Sequence, residues 1–226
     1  MSKHRNNELE YITRAINLNP DLHGWMVDDE GDEYEDWYFV KQDHTFPADT
    51  IMMANDVKCA FNFAGRAIDG FVRLYEYPEI HDKNKRFVFN DYYDPETLTF
   101  EECLNLGDNI YYYQGHNGVA SNKIVNVKLA DGEYLVATDV MGKLVQSLIY
   151  NGKLCMHGLL ADSRMFTTPY EKFGTVMFEN VPFLISNDGK VLNIEKSRYK
   201  DGKIFAYVNS DKTFFYSSNL RDPKWY

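Results

Sequence analysis

The side chains in this chain that could do chemistry are six histidines, three cysteines and one dense run of acid. The run, Asp28, Asp29, Glu30, Asp32, Glu33, Glu35 and Asp36, puts seven carboxylates and no base into nine positions, within the stretch GWMVDDEGDEYEDWYFV (24–40). Such a density of carboxylates suits a hard cation, a mimic of nucleic-acid phosphate, or a docking element for a basic surface. A calcium loop of the EF-hand kind needs Gly at its sixth position and a bidentate Glu at its twelfth. With Gly31 as that Gly, the loop would begin at Met26 and end at Trp37, so both anchors fail. A looser set from Asp28, Asp32 and Asp36 has no specific spacing, and no metal site is expected. Phosphate mimicry needs charge spread over a surface at something like duplex spacing. Here most of the excess lies on one loop. Two readings remain. In one, a solvated hairpin tip keeps aromatic flanking strands from pairing edge to edge. In the other, the acid steers encounter with a basic partner while Trp25, Trp37 and Tyr38 anchor the contact.

The other chemical candidates fail on spacing. Ser163 (ADSRMF) and Ser121 (VASNK) lack the flanking glycines of a nucleophile elbow. Cys155 and His157 (LCMHG) would share a strand face but have no third group to orient them, which favours a buried thiol beside a hydrogen-bonded imidazole. His81-Asp82 is the dipeptide of metal-dependent phosphohydrolases, but here it falls in an expected loop without helical partners. His116, between Gly115 and Gly118, is the histidine best placed on an open loop to act as acid, base or ligand, against the simpler reading of a glycine-shaped turn. Neither a P-loop nor a dinucleotide fingerprint occurs, so no nucleotide cofactor is expected. The aromatic runs IYYYQ and TFFYSS have almost no basic neighbours, which argues against direct nucleic-acid binding. Trp225 and Tyr226, after Pro223, form a terminal aromatic pair that either folds back or inserts into a neighbour.

At 226 residues the chain can bury a sizeable core without disulfides or metals. Cys59, Cys103 and Cys155 are odd in number and far apart, which fits a reducing, cytoplasmic compartment. No run resembles a signal peptide or a membrane span. The aromatic fraction of 15% leans toward strands. Abundant Asn, Lys, Tyr, Phe, Ile and Asp suit an AT-rich genome such as that of many phages. Of the net charge of −10, seven negative charges belong to residues 28–36, and from Asp188 onward eight basic residues outnumber five acidic ones. This asymmetry concerns partners rather than fold.

The elements that must hold these groups follow from periodicity. Leu9, Ile12 and Ile16 predict a helix over 6–18, stopped at Asn19-Pro20. Runs 25–27 and 37–40 predict a hairpin with an acidic tip. Met53, Val57, Phe61 and Ala64 predict a second helix, starting near Pro47 or Thr50 and ending at Gly65. AIDGFVRLYEY and RFVFN predict strands, and Asp94-Pro95 a third helix ending before Gly107. From Asn109 onward, short β-prone runs are punctuated by turns such as Asp131-Gly132, Asn151-Gly152 and Asp188-Gly189. Two D-G-K turns echo one another, too few for a sustained repeat.

The expectation is an α+β protein: short helices with a hairpin in residues 1–108, then mostly antiparallel β (sandwich, barrel or meander) in 109–226, as two regions or one continuous domain. Its expected role is a non-catalytic protein–protein interaction or assembly component, such as a virion or accessory protein of a phage or mobile element. Its expected partner is a protein with a basic patch or further copies of itself, not nucleic acid, membrane or an identifiable small-molecule substrate. The alternatives are an acidic inhibitor of a nucleic-acid enzyme, and a hydrolase with a site near His116 or His157.

Overall fold

The computed structural model describes residues 10, 13–28, 36–74, 89–169, 172–192, 198–199, 220–222 and 224. They are mostly antiparallel strands with a few short helices. The chain divides into two compact units: Met1–Lys123 with Lys128–Gly132 and Thr138–Leu144, and Ile124–Val127 with Glu133–Ala137 and Val145–Tyr226. Among the described residues no helix is long and apolar enough to cross a membrane.

In the first unit, β1 (Gly24–Asp28) pairs with β2 (Asp36–Val40), and β3 (Thr50–Ala54) with β4 (Val57–Phe61). β5 (Asp69–Leu74) lies between β6 (Phe89–Tyr93) and β7 (Ile110–Gln114). β8 (Ile124–Leu129) and β9 (Gly132–Ala137) join β10 (Ile149–Tyr150), β11 (Lys153–Met156) and β12 (Leu159–Leu160) in a sheet of order β10-β11-β12-β9-β8. β13 (Thr168–Pro169), β14 (Phe173–Phe178) and β15 (Val181–Ser186) form a meander, and β16 (Arg198–Tyr199) pairs with β17 (Leu220–Asp222).

One backbone loop recurs. At or just after the end of a strand, Asn62, Gln114, Asp139 and Ser186 each donate the backbone N–H to the carbonyl four residues on, of Arg66, Gly118, Lys143 and Lys190 respectively. The residue six positions on then returns a bond to the strand, as Ile68 to Ala60, Ala120 to Tyr112, Val145 to Ala137 and Leu192 to Leu184. Lys41 and Thr45 close the same ring after β2 at 2.7 Å. There the sixth position is Pro47, which has no N–H to return.

Four of these loops also bond an earlier strand or turn: Ala67 N–H to the Trp37 carbonyl at 2.7 Å, Val119 to Lys58 at 2.9 Å, Leu144 to Ile110 at 2.8 Å and Val191 to Gly152 at 2.9 Å. In three cases the bond is answered, by Phe39 to Gly65, Tyr112 to Gly142 and Leu154 to Gly189. At Gly118 the approach is close: a Cβ there would meet Val57 and lie 2.7 Å from the Lys58 carbonyl oxygen, on a backbone already at φ +75.

Period-2 burial builds the cores. Trp25, Trp37, Phe39, Cys59 and Phe61 share one face of the first two hairpins, while Tyr38 faces Ala64, Ile16 and Phe46 on the other. Ile51, Ala60, Ile68, Val72 and Tyr113 form a further cluster in the same unit. In the second unit Ala137, Val145, Cys155 and Leu160 pack together.

The helix expected from residue 47 or 50 to Gly65 is instead the β3–β4 hairpin. Its register closes at Ala54↔Val57, with Asn55 and Asp56 at φ 48 and 66, the two left-handed residues a tight hairpin turn needs. The i, i+4 spacing that suggested a helix is coincidental, because Ile51 and Met52 face opposite clusters. Around Asp94 the expected helix is two short pieces: a 3-10 turn, Pro95–Thr97, capped by Asp94, and an α-helix, Phe100–Leu104, with a Thr99/Glu102 capping box. Residues 13–18 are helical as expected, and Leu9 and Ile12 lie outside the described residues.

Two stability predictions follow from this packing. Gly118→Ala should cost about 2–4 kcal/mol through overpacking and backbone strain, against about 1 kcal/mol for Gly115→Ala, whose Cβ would meet nothing within 4 Å. Equal costs in chemical denaturation would count against the loop-to-hairpin contact. Tyr113 is fully buried, and among the described residues its hydroxyl has no hydrogen-bond partner. Tyr113→Phe should therefore raise the melting temperature, by about 1 kcal/mol of stability or more; a loss would show that the hydroxyl is satisfied.

Candidate functional site

The β1–β2 register ends at Asp28↔Asp36, so two carboxylates face each other where the acidic run begins and ends. Directly opposite like charges are unfavourable. Arg66 relieves this pair from the side, its Nη1 donating to both Asp36 oxygens at 3.0 and 3.2 Å. Arg66 reaches Asp36 because its loop is fastened to β2 through the Tyr38↔Arg66 bridge.

Beside this pair opens a cleft of about 220 Å³, lined among others by Trp37, Asp69, Tyr92, Gln114 and His116. Asp69 and Gln114 are opposite each other on β5 and β7. The Tyr92 hydroxyl donates to the Asp69 carbonyl at 3.2 Å, and the Tyr112 hydroxyl to Asp69 Oδ1 at 3.3 Å. His116, in the turn Gly115–Asn117, lies against the Trp37 ring with centroids 4.0 Å apart. Trp37 in turn meets Trp25 edge-on at 6.4 Å, and Trp25 stacks on Phe61 at 5.8 Å. The imidazole thus ends an aromatic column that backs the acidic hairpin.

The walls of the cleft crowd the Asp69 carboxyl although it opens onto solvent. This desolvation raises its pKa above the usual aspartate value, the nearby Asp94 charge adds to the rise, and Tyr112 and His116 partly offset it. Burial pushes the Tyr92 hydroxyl up to about 12. Among the described residues, the cleft lining contains no serine, threonine or cysteine. All three thiols are buried, and burial raises Cys59 and Cys155 to about 11 and Cys103 to about 12, so none is poised as a thiolate.

Of the residues singled out by sequence, Trp25, Asp28, Asp36 and Trp37 come together at the hairpin, and His116 joins them from a distant loop. Tyr38 is buried at 1% exposure. Asp29, Glu30, Asp32, Glu33, Glu35, His81, Asp82, Trp225 and Tyr226 lie outside the described residues. Cys155 and His157 are not a pair. The thiol donates to the Val145 carbonyl at 3.6 Å, whereas His157 sits in the turn after β11 at φ 47. Its ring nitrogens lie 3.4 Å from Gln146 Oε1 and 3.5 Å from Glu179 Oε1. Arg66, Asp69, Tyr92 and Gln114 carry no local motif, and only strand pairing reveals them as neighbours. Among the described residues no group of three or more His, Cys, Asp or Glu could hold a metal ion. A larger hollow of about 460 Å³ near His23, Lys41 and Asn55 gathers no comparable set, since its Asp43 is taken up by Thr45.

No family model matches the chain, and no curated protein matches it. Among solved structures it is similar to the modular autolysin LytC from Streptococcus pneumoniae, at 12% identity over 86% of this chain and 39% of that one, with a TM-score of 0.25. The chain therefore spans less than half of that protein, and a likeness at this score carries no argument.

Asp69 supplies a stability test. Its folded pKa is raised, so as pH climbs past the unfolded value the unfolded state ionises first and stability falls across the window up to the folded value. Asp69→Asn removes that penalty. The variant should melt higher than the parent at neutral pH, and the gain should vanish below the unfolded aspartate value. A gain that persists at low pH would assign the effect to something other than ionisation.

Proposed function

We propose that this protein is a non-catalytic interaction module whose acidic hairpin docks on a basic surface of another protein or of a second copy of itself. The observation that supports this most is the β1–β2 register. Its last pair, Asp28↔Asp36, carries the first and last acids of the run on a hairpin packed through Trp25, Trp37, Phe39 and Phe61. Charge on a rigid mount steers encounter and fixes orientation, while half-buried aromatics at its root supply contact area. Tyr38 supports the hairpin from within the core. A virion or accessory role in a phage, or inhibition of a nucleic-acid enzyme through its basic site, would both use this surface.

A hydrolytic reading is favoured by one observation, the placing of His116 in a cleft with Asp36 and Asp69. It has in its way that the imidazole lies against Trp37, with ring centroids 4.0 Å apart, and that among the described residues the cleft lining offers no serine, threonine or cysteine as nucleophile, its one hydroxyl being that of Tyr92, which burial holds protonated.

The docking reading is tested by titrating a Lys/Arg-rich peptide at low and moderate salt against three proteins. These are the parent, a variant with Asp29, Glu30, Asp32, Glu33 and Glu35 changed to amides, and a charge-matched control with Asp21, Asp49, Asp56, Glu101 and Glu133 changed instead. The hairpin variant should lose about tenfold or more in affinity and most of its salt dependence, the control far less. Equal losses would reduce the acidic run to general net charge and remove the docking role.

A further inference from the structure

We infer that the cleft beneath the acidic hairpin is a receptor for a single guanidinium, the side chain of an arginine on the docking partner. The inference rests on the docking reading and names what that surface grips.

Size comes first. At about 220 Å³ the cleft is smaller than the roughly 300–1,000 Å³ of small-molecule sites, and it suits one long side chain. Its chemistry is that of a cation receptor: the rings of Trp37 and Tyr92, the carboxylates of Asp36 and Asp69, and the side chain of Gln114. Asp69 accepts from Tyr112 through Oδ1, and among the described residues its Oδ2 accepts from no other group. The cation already present, Arg66, is committed to Asp36. A carboxylate oxygen beside aromatic rings, in a protein of net charge −10, thus stands open to a positive group.

The chain itself shows how such a group is held. Arg164 lies 4.9 Å from the centre of the Tyr134 ring while Asp162 takes its Nε and Nη2 at 3.0 and 2.6 Å. Arg73 lies 5.4 Å from the Tyr93 ring, with Asp91 at 3.4 Å and the Leu106 carbonyl accepting its other nitrogen. Both places combine a tyrosine face, an aspartate and an arginine. The cleft offers the first two, Tyr92 and Asp69, held together by the Tyr92 hydroxyl donating to the Asp69 main-chain carbonyl. A flat guanidinium satisfies ring and carboxylate together, as a compact ammonium cannot, so arginine is the occupant rather than lysine.

Binding and the ionisation of Asp69 are then linked. A cation at Oδ2 favours the charged carboxyl, so affinity should rise with pH through the range just above the ordinary aspartate value. The charged and titratable groups around Asp69 are Tyr112 on β7, Tyr92 on β6, Asp94, His116 and the Asp36–Arg66 pair.

The test uses two probes on the full chain. The small probe is N-acetyl-arginine amide, followed by NMR shifts and tryptophan emission, with N-acetyl-citrulline amide as its neutral isostere. The large probe is the Lys/Arg-rich peptide used for the docking test. The small probe should bind saturably, citrulline about tenfold more weakly or worse, and Asp69→Asn should weaken it by about tenfold or more while the protein stays folded. The five-amide hairpin variant should keep the small probe within about twofold. Equal binding of arginine and citrulline, equal binding by parent and Asp69→Asn, or no saturable binding would overturn the inference. If the peptide still depends on the hairpin acids in that case, docking stands and only the cleft assignment falls. If the peptide is also indifferent to them, both fall together.

Discussion

The constraint on which the rest of this structure depends is a backbone one: the closed loop after a strand is hydrogen-bonded to an earlier strand or turn. A lone two-stranded hairpin is marginal in water, and β1–β2 and β3–β4 would each be one. The bonds from Ala67, Val119, Leu144 and Val191 give each loop an outside partner. At about 1 kcal/mol net apiece they contribute modestly as hydrogen bonds. Their larger effect is to fix register, so that the aromatic faces of neighbouring hairpins meet rather than turn to solvent.

That same link builds the site. The residue whose carbonyl closes the ring is Arg66 in one loop, Lys143 in another and Lys190 in a third. Each has its head engaged by a neighbouring polar group: Arg66 with Asp36, Lys143 with Asn109 at 2.8 Å and Lys190 with Asp188 at 3.7 Å. Only at Arg66 does the neighbour belong to an acidic hairpin end, and there the cation relieves the Asp28↔Asp36 opposition. The cleft is a consequence, bounded by β2 on one side and by β5, β6 and the turn after β7 on the other. Its aspartate is crowded because four separated segments converge on it, none of which carries a recognisable motif.

Legibility varied along the chain for physical reasons. The β1–β2 hairpin, the strands at β5 and β6 and the turns after Asn109 could be read, because alternation and Asn-Gly or Asp-Gly pairs act locally. Asn151 and Gly152 adopt the left-handed conformations those types predict, at φ 50 and 80. The β3–β4 hairpin was misread because Met53, Val57 and Phe61 fall at helical spacing, and because Asn55-Asp56 is a weaker turn signal than Asn-Gly. The first D-G-K turn, Asp188-Gly189-Lys190, belongs to a recurring loop, and the second, at 201–203, lies outside the described residues. The recurrence itself stayed hidden, because its left-handed turn positions, His44, Gly65, Gly142 and Gly189, are unevenly spaced and the loop after Gln114 carries its glycines elsewhere, at Gly115 and Gly118.

The sequence by itself determined that this chain is rich in antiparallel strands, that its cysteines form no framework, and that seven carboxylates fall within nine positions between two aromatic runs. These are properties of composition and of short-range periodicity. Tertiary structure alone decided that His116 lies on Trp37, that Arg66 answers Asp36, and that Asp69 meets Tyr92 and Tyr112. Those contacts join residues tens of positions apart through hydrogen bonds between backbone groups. Every residue but proline carries the same backbone donor and acceptor, so the side-chain alphabet does not announce which of them will meet.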